Sequence, residues 1–531
     1  MKTHPSATTN PAYLFLALAI LLGGYARLNQ VLTSPFPLND GGLFYAMTQD
    51  LQANQYSLPE KTSYNQLELP FAYPPLPFYL AGGLNDLTGW ELLEFFRLLP
   101  AVFSILAIVA FYWLANDLAE NRVHAGVATL IFALLPTTFD WLIMGGGLTR
   151  APAFFFALLT LHRIYLLYTR RRTGDVLWTA VLASLTILSH PETALHTVIS
   201  AVVFFFFLER SKSGLIKSLL VAGLVLGLTS PWWIPNLARH GLEPYLAAGS
   251  TGWHNFTALV QLFRFDLTNE YGLATIGVLA LIGLFWQLAN SQVFLPVWLL
   301  VIFLSEPRSA PLYITPILAL TASYSLLRIL RFFKPAKDAT RVDSTSEIPL
   351  SSRAGRVLFA LLFAQWTLSA LVIPVIIAGT KTLSPADKTA FDWVTANTLP
   401  QARFLILTGD DPFSDPTSEW FPALTGRVSV ATVQGYEWEA AQDFEQIKQR
   451  GRQVQECVQQ TPACIKEWAA NTGAEAGMEY DYILLRKLSG AGGWQLTPYD
   501  SGLEKLLVLE EHALPVYQTP EVVILKVASQ P

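Results

Sequence analysis

Asp40 is the residue of this 531-residue chain whose setting most suggests chemistry. It lies in Asn39-Asp40-Gly41-Gly42-Leu43-Phe44-Tyr45, directly after a long apolar run. An ionised carboxylate so close to lipid is costly unless it has a task or a partner. A catalytic role would be such a task. The two glycines that follow remove side-chain bulk and let another molecule's backbone or phosphate come close. The plainer reading is that Asp40 caps a helix over Gly41–Ala53 and that Leu43, Phe44, Met47 and Leu51 lie on the membrane.

Other polar groups stand at similar boundaries. Phe71-Ala72-Tyr73-Pro74-Pro75-Leu76-Pro77 reads as a rigid turn entering an interfacial helix, with Tyr73 and Tyr79 as anchors. Ser189-His190-Pro191-Glu192 joins two apolar runs, and His196 follows one turn later. No zinc spacing unites His190, Glu192 and His196, so hydrogen bonding or helix capping is the reading for them. Near the C-terminus, Glu419-Trp420-Phe421-Pro422 and Gly435-Tyr436-Glu437-Trp438 set aromatics beside acids, a pairing that suits a sugar and also suits core packing. There is no Walker loop, Gly-x-Ser-x-Gly elbow or His-Glu-x-x-His.

The elements that must position these groups follow from composition. Hydrophobic residues make up 52% of the chain and charged ones 14%, against about 25% charged in a typical soluble domain. A net charge of −5 offers no footprint for nucleic acid. Runs such as AVVFFFFL (201–208) are apolar all round, as membrane spans are. Candidate spans fall near 11–29, 95–116, 122–140, 149–168, 175–189, 192–209, 217–238, 271–288, 292–305, 310–330 and 357–379. The proline-rich stretch 73–87 is ambiguous, and the positive-inside rule decides it. If it does not cross, Lys2, Arg122, Arg170, Arg171, Arg172, Arg210, Lys212, Lys217 and the cluster from Arg328 to Arg356 share one side.

The expected architecture is therefore an α-helical polytopic membrane protein with about eleven transmembrane helices. It has interfacial helices in the first outer loop and a soluble C-terminal α/β domain. The membrane domain is 1–379, with the outer loop at 31–95 and a polar cytoplasmic linker at 334–356. The domain 380–531 lies outside and the N-terminus in the cytoplasm of a plasma (inner) membrane, with no cleaved leader expected. In the tail, Ser384-Pro385 opens a helix to about Asn397 and Arg403–Thr408 is a buried strand. Asp443–Gln460 is an amphipathic helix, Asp481–Leu485 a second strand, and Leu514–Gln518 with Glu521–Val527 a closing hairpin. Cys457 and Cys464, the only cysteines, sit where a disulfide persists; two buried thiols are the alternative.

The order of these features resembles the GT-C superfamily of integral-membrane glycosyltransferases. It comprises an uncleaved first span, Asp40 at the start of a long outer loop, a horizontal helix, the Tyr73–Leu76 turn and a span begun by Arg97. That group includes protein O-mannosyltransferases, aminoarabinose transferases and oligosaccharyltransferase catalytic subunits. The resemblance implies transfer of a sugar from a polyprenyl phosphate to a glycan, lipid or protein acceptor on the outer face, with inversion. It makes Asp40 the base. It makes Arg308, Arg150 and His190 the candidates for the donor phosphate, with Arg97 and Arg239 as further boundary arginines. Arg150 follows Gly145-Gly146-Gly147, where helix-start amides can also bind an anion. Tyr45, Tyr73, Glu192, Arg97 and Trp420 are the candidates for the donor and acceptor pocket. No cofactor is required by this reading; a divalent cation (Mg or Mn) enters if Asp50, Glu68 or Asp266 folds back to Asp40. The chain departs from many relatives in having Asp40-Gly41 where they pair Asp with Glu, and Pro77-Phe78 where a lysine often follows the turn. The rival readings are a transporter or flippase, marked by inverted repeats and mid-membrane charges, and a non-catalytic scaffold that binds through its tail.

Overall fold

A computed structural model describes residues 11–170, 174–250, 267–333, 352–438, 444–472, 479–489 and 502–527, with positions 260, 262, 264–265 and 497–498 between them. Lys2, Arg171, Arg172, Asp266 and most of the linker (334–351) lie outside the described residues. A helix lies within or overlaps each apolar stretch singled out above. The first ten helices are α1 (Pro11–Thr33), α2 (Gly42–Ala53), α3 (Leu76–Thr88), α4 (Leu92–Leu118), α5 (Arg122–Leu134), α6 (Gly147–Thr169), α7 (Gly174–Ile187), α8 (Pro191–Leu208), α9 (Lys212–His240) and α10 (Glu243–Ser250). Further helices run over Thr275–Ala289, Phe294–Ser305, Thr315–Phe332 and Arg353–Thr380. Among the described residues six helices are long and apolar enough to cross a membrane, and four more are apolar but shorter. Side chains at their starts supply the acceptors that a first turn needs: Asn121 for α5, Ser211 for α9 and Ser352 for Arg353–Thr380.

Helix α1 packs against α4 and α5, and α4 against α6, around a core of Phe111, Phe132, Phe154 and their neighbours. Wholly buried in that core is Arg27. Its guanidinium donates to Ser104 Oγ (2.9 Å), Gly23 O and Ala133 O (both 2.8 Å) and Thr138 Oγ1 (3.0 Å), and it lies over the Phe139 ring. Helix α5 stops at Leu134 rather than running on to 140, because Pro136 disfavours helix in the residue before it. The chain instead makes a short turn at Pro136–Thr138 and then a loop to Gly147, the loop that meets Asp40.

The segment 31–95 folds onto the rest of the protein. Leu43, Met47 and Leu51 of α2, expected on the membrane, are buried, because α2 packs against α3 and against the tail helix Pro416–Thr425. An amphipathic stripe is satisfied by either partner. In the Tyr-Pro-Pro-Leu-Pro turn, Leu76 is the one residue of 74–77 with an N–H, and it donates to Leu188 O (3.0 Å), fixing the turn to the α7–α8 junction.

The tail forms a five-stranded sheet. Strand β1 (Arg403–Leu407) lies parallel to β2 (Val428–Ser429) and β3 (Tyr482–Arg486). The antiparallel hairpin Leu514–Gln518 and Val522–Lys526 joins at β3. Helix Pro385–Asn397 begins with a reciprocal cap between Ser384 and Asp387. Asp387 also pairs at 3.0 Å with Arg486, both wholly buried. Cys457 and Cys464 are disulfide-bonded. One sheet face packs on helix Phe444–Glu456 and the disulfide region, while the other shares a core with the segment 31–95 and the start of α4 through Phe404, Phe421, Trp420, Phe36 and Phe96.

Candidate active site

The carboxylate of Asp40 does not cap α2. Its Oδ1 accepts from the Gly146 N–H (3.0 Å), and Arg150 Nη2 donates to both oxygens, at 2.8 Å to Oδ2 and 3.1 Å to Oδ1. The anion held at the start of α6 is thus the protein's own. Close approach requires glycine here: a Cβ on Gly145 would sit 2.1 Å from Asp40 O, and one on Gly146 2.4 Å from Asp40 Oδ2. The two side chains are 22% and 20% exposed, so the pair is mostly packed and in part open to its surroundings. Trp141 lies under the Arg150 guanidinium, 5.3 Å from its ring centre.

Around this pair stand groups from four other segments. The Tyr73 hydroxyl lies 3.3 Å from Thr149 Oγ1, and burial pushes the phenol up, so it stays protonated. The Tyr73 ring meets His190 and Trp438 edge-on, at 6.2 and 5.6 Å. His190 Nδ1 accepts from the Thr193 N–H, capping α8 as the plainer reading held, and this leaves Nε2 to donate. Arg308, exposed in its short loop, and Arg150 both act electrostatically on His190 and Glu192. Arg308 acts on Glu437 as well, whose carboxyl burial pushes up. Asp40, Tyr73, Arg150, His190, Glu192 and Arg308 therefore come together from distant parts of the chain, and the tail adds Glu437 and Trp438.

Four expected residues stand apart. Trp420 is wholly buried and gives no face to a sugar: its Nε1 donates to Asn39 O (2.9 Å) and its ring meets Phe36 edge-on. It joins the core with Phe421, Phe36 and Phe96. Arg97 is held by Glu94 (2.6 and 2.8 Å) and Val31 O. Tyr45 lies between Phe96 and Trp420 and lines a separate polar cleft of about 300 Å³ with Gln49, Gln52, Asn85 and Glu91. Arg239 donates to Leu58 O and Pro59 O. Asp50 accepts from Thr62 and Ser63, and Glu68 pairs with Lys61, so neither turns back to Asp40. Among the described residues no three His, Cys, Asp or Glu side chains gather as a metal set. His196 bonds Ser309 Oγ and stacks on Tyr313.

The acid that does approach Asp40 is Glu419, for which the sequence left sugar contact and core packing both open. It is buried, and its Oε1 accepts from the N–H groups of Gly41 (2.8 Å) and Gly42 (3.0 Å). Burial and the nearby Asp40 charge push its carboxyl up to about 8 against the pull of those two N–H groups. A glutamate set among Trp, Phe, Pro, Ala and Leu is a signal for such burial. An arginine inside an apolar run, as Arg27 is, was likewise legible.

Comparison with known proteins supports the fold. Residues 71–382 match the model of a family described as 6-pyruvoyl-tetrahydropterin synthase related domain, membrane protein. No curated protein matches the sequence significantly. Among solved structures, the chain is similar to the oligosaccharyltransferase AglB of Archaeoglobus fulgidus, in complex with an inhibitory peptide and a dolichol-phosphate. The identity is 14% and the TM-score 0.59, covering 90% of this chain and 69% of that one. It is similar to ArnT of Cupriavidus metallidurans bound to undecaprenyl phosphate, at 15% identity and a TM-score of 0.55, over 99% of this chain and 100% of the other. It is similar to the arabinofuranosyltransferase AftD from Mycobacteria, at 15% identity and a TM-score of 0.56, over 99% of this chain and 40% of that one. All three are GT-C glycosyltransferases, and their fold is the fold of this chain.

Proposed function

The chain belongs to the 6-pyruvoyl-tetrahydropterin-synthase-related family of membrane proteins, and from that footing and its GT-C fold we propose that it transfers a sugar from a polyprenyl phosphate to an acceptor hydroxyl. The observation that carries this reading is the half-open Asp40–Arg150 pair, a base and a cation poised together at the end of an apolar helix.

The acceptor oxygen attacks the anomeric carbon while Asp40 takes its proton. The new oxygen–carbon bond forms as the carbon–oxygen bond to phosphate breaks. The electron pair leaves with the polyprenyl phosphate, whose charge grows by one. Arg150, with Arg308 and His190 Nε2 beside it, meets that charge. Attack opposite the leaving group inverts the anomeric centre. In the resting molecule the base and the cation occupy each other, so an incoming donor phosphate competes with Asp40 for Arg150 and in doing so frees the base. The sugar's prenyl chain requires a membrane, and the charge distribution supports eleven crossings with the N-terminus cytoplasmic and the tail outside. The Cys457–Cys464 disulfide supports the same placement.

The test is Asp40→Asn in purified protein supplied with polyprenyl-phosphate sugars, with release of polyprenyl phosphate as the signal. Loss of a general base predicts a fall of about 100-fold or more with the protein folded. Near-normal turnover removes the mechanism.

A further inference from the structure

We propose that two consecutive tail residues, Glu419 and Trp420, position Asp40 for catalysis by holding the backbone on either side of it, which makes the C-terminal region part of the catalytic unit. The inference rests on the transferase reading above.

The chain around Asp40 cannot hold its own shape. Asn39 has φ of 53° and Gly41 of 126°, so the backbone on both sides of Asp40 is left-handed and lies outside any regular element. Helix α2 starts at Gly42 with Gly41 in the capping position and no side-chain cap of its own, so its first N–H groups need outside acceptors. Glu419 Oε1 supplies one to both Gly41 and Gly42. On the other side of the acid, Trp420 Nε1 donates to Asn39 O, and the Asn39 N–H donates to Lys381 O at 2.7 Å. The clamp is itself clamped, since the Tyr64 hydroxyl donates to Glu419 O at 2.8 Å. It is also tight: a Cβ on Gly42 would lie 2.5 Å from Glu419 O. Asp40 thus meets Gly146 and Arg150 with a backbone gripped before and after it by adjacent residues from the far end of the chain.

A carboxylate misplaced by about 1 Å can slow a reaction about 100-fold. Glu419→Ala leaves two buried N–H groups without an acceptor, whereas Glu419→Gln keeps an oxygen in place. Trp420→Phe keeps the ring and removes only the N–H. The experiment measures kcat and donor KM for each variant, together with hydrogen–deuterium exchange over residues 38–53 of the full-length protein in detergent. Glu419→Ala is expected to lower kcat about 30- to 100-fold at unchanged donor KM and to speed exchange at 41–42. Glu419→Gln is expected to restore both to within about threefold of wild type. A folded alanine variant with kcat within twofold of wild type overturns the proposal. If the alanine variant fails to fold, Trp420→Phe decides: an unchanged kcat with unchanged exchange overturns it, and a loss of kcat with faster exchange upholds it. Wild-type protein that releases no polyprenyl phosphate from any donor refutes the transferase reading instead, a result distinguishable because the exchange data still report on the clamp.

Discussion

Replacing Asp40 by Asn should make the protein bind polyprenyl phosphate more tightly while it turns over far more slowly. In the resting molecule Arg150 Nη2 sits 2.8 and 3.1 Å from the two Asp40 oxygens, so a phosphate reaches Arg150 only by displacing a carboxylate. Two unit charges at 4 Å attract by about 4 kcal/mol at an effective dielectric of 20 and by about 1 kcal/mol in water. The side chains are 22% and 20% exposed, and solvent plus desolvation bring the net value of the pair to about 1–2 kcal/mol. Removing the competitor therefore raises phosphate affinity about 5- to 30-fold, with loss of like-charge repulsion acting in the same direction. The assay is a titration of wild-type and Asp40→Asn protein in nanodiscs with undecaprenyl phosphate, at two salt concentrations. Arg150→Ala serves as the control and should bind more weakly than wild type. Equal or weaker binding by Asp40→Asn would refute the idea that base and phosphate share one cation.

Gly146→Ala puts a methyl where the Asp40 carboxylate now sits, at a backbone φ of −66° that alanine accepts, so transfer should fall at least tenfold, roughly, while the melting temperature stays within a few degrees. Glu419 should leave a pH signature in thermal unfolding. Its carboxyl stays protonated to about 8 in the folded chain but ionises near 4.5 when unfolded, so its contribution is present below pH 4.5 and lost as pH rises to about 8, by about 1.4 kcal/mol per unit. Glu419→Gln should gain on wild type across that window, and a gap in melting temperature that does not change with pH would contradict it. Arg27→Met leaves Ala133 O and Thr138 without the guanidinium and should destabilise by about 2–4 kcal/mol, read as a lower melting temperature. Because Thr138 begins the loop that carries Gly146, transfer should fall as well.

The parts of the candidate site that depend on local chemistry could be picked out before the fold was known. Asp40 after an apolar run, the proline turn at Tyr73 and the arginine after three glycines each carry their meaning in neighbouring residues. The capping box at Ser384 and the strands of the tail are equally local. What escaped depended on distant partners. Hydropathy continues past Pro136, so it overran the end of α5, where a backbone restriction rather than polarity stops the helix. The stripe Leu43, Met47, Leu51 announces a buried face without saying whether lipid or protein covers it. Glu419 and Trp420 were seen as an acid beside an aromatic, a fair inference from type alone, but only the sheet that places Pro416–Thr425 against α2 turns them inward. The roles of Arg308 and Glu437 depend on loops almost 130 residues apart.

The grip on Asn39, Gly41 and Gly42 by residues near position 420 has a consequence for how the molecule comes into being. A ribosome releases the first helix and its acid hundreds of residues before it decodes the segment that secures them, so every nascent chain passes through a long interval with the Asp40 carboxylate made but unset. On the proposed mechanism, competence would arrive late and all at once, when the last third folds against the start of α2, and a chain cut short before then would remain an idle protein rather than an errant one.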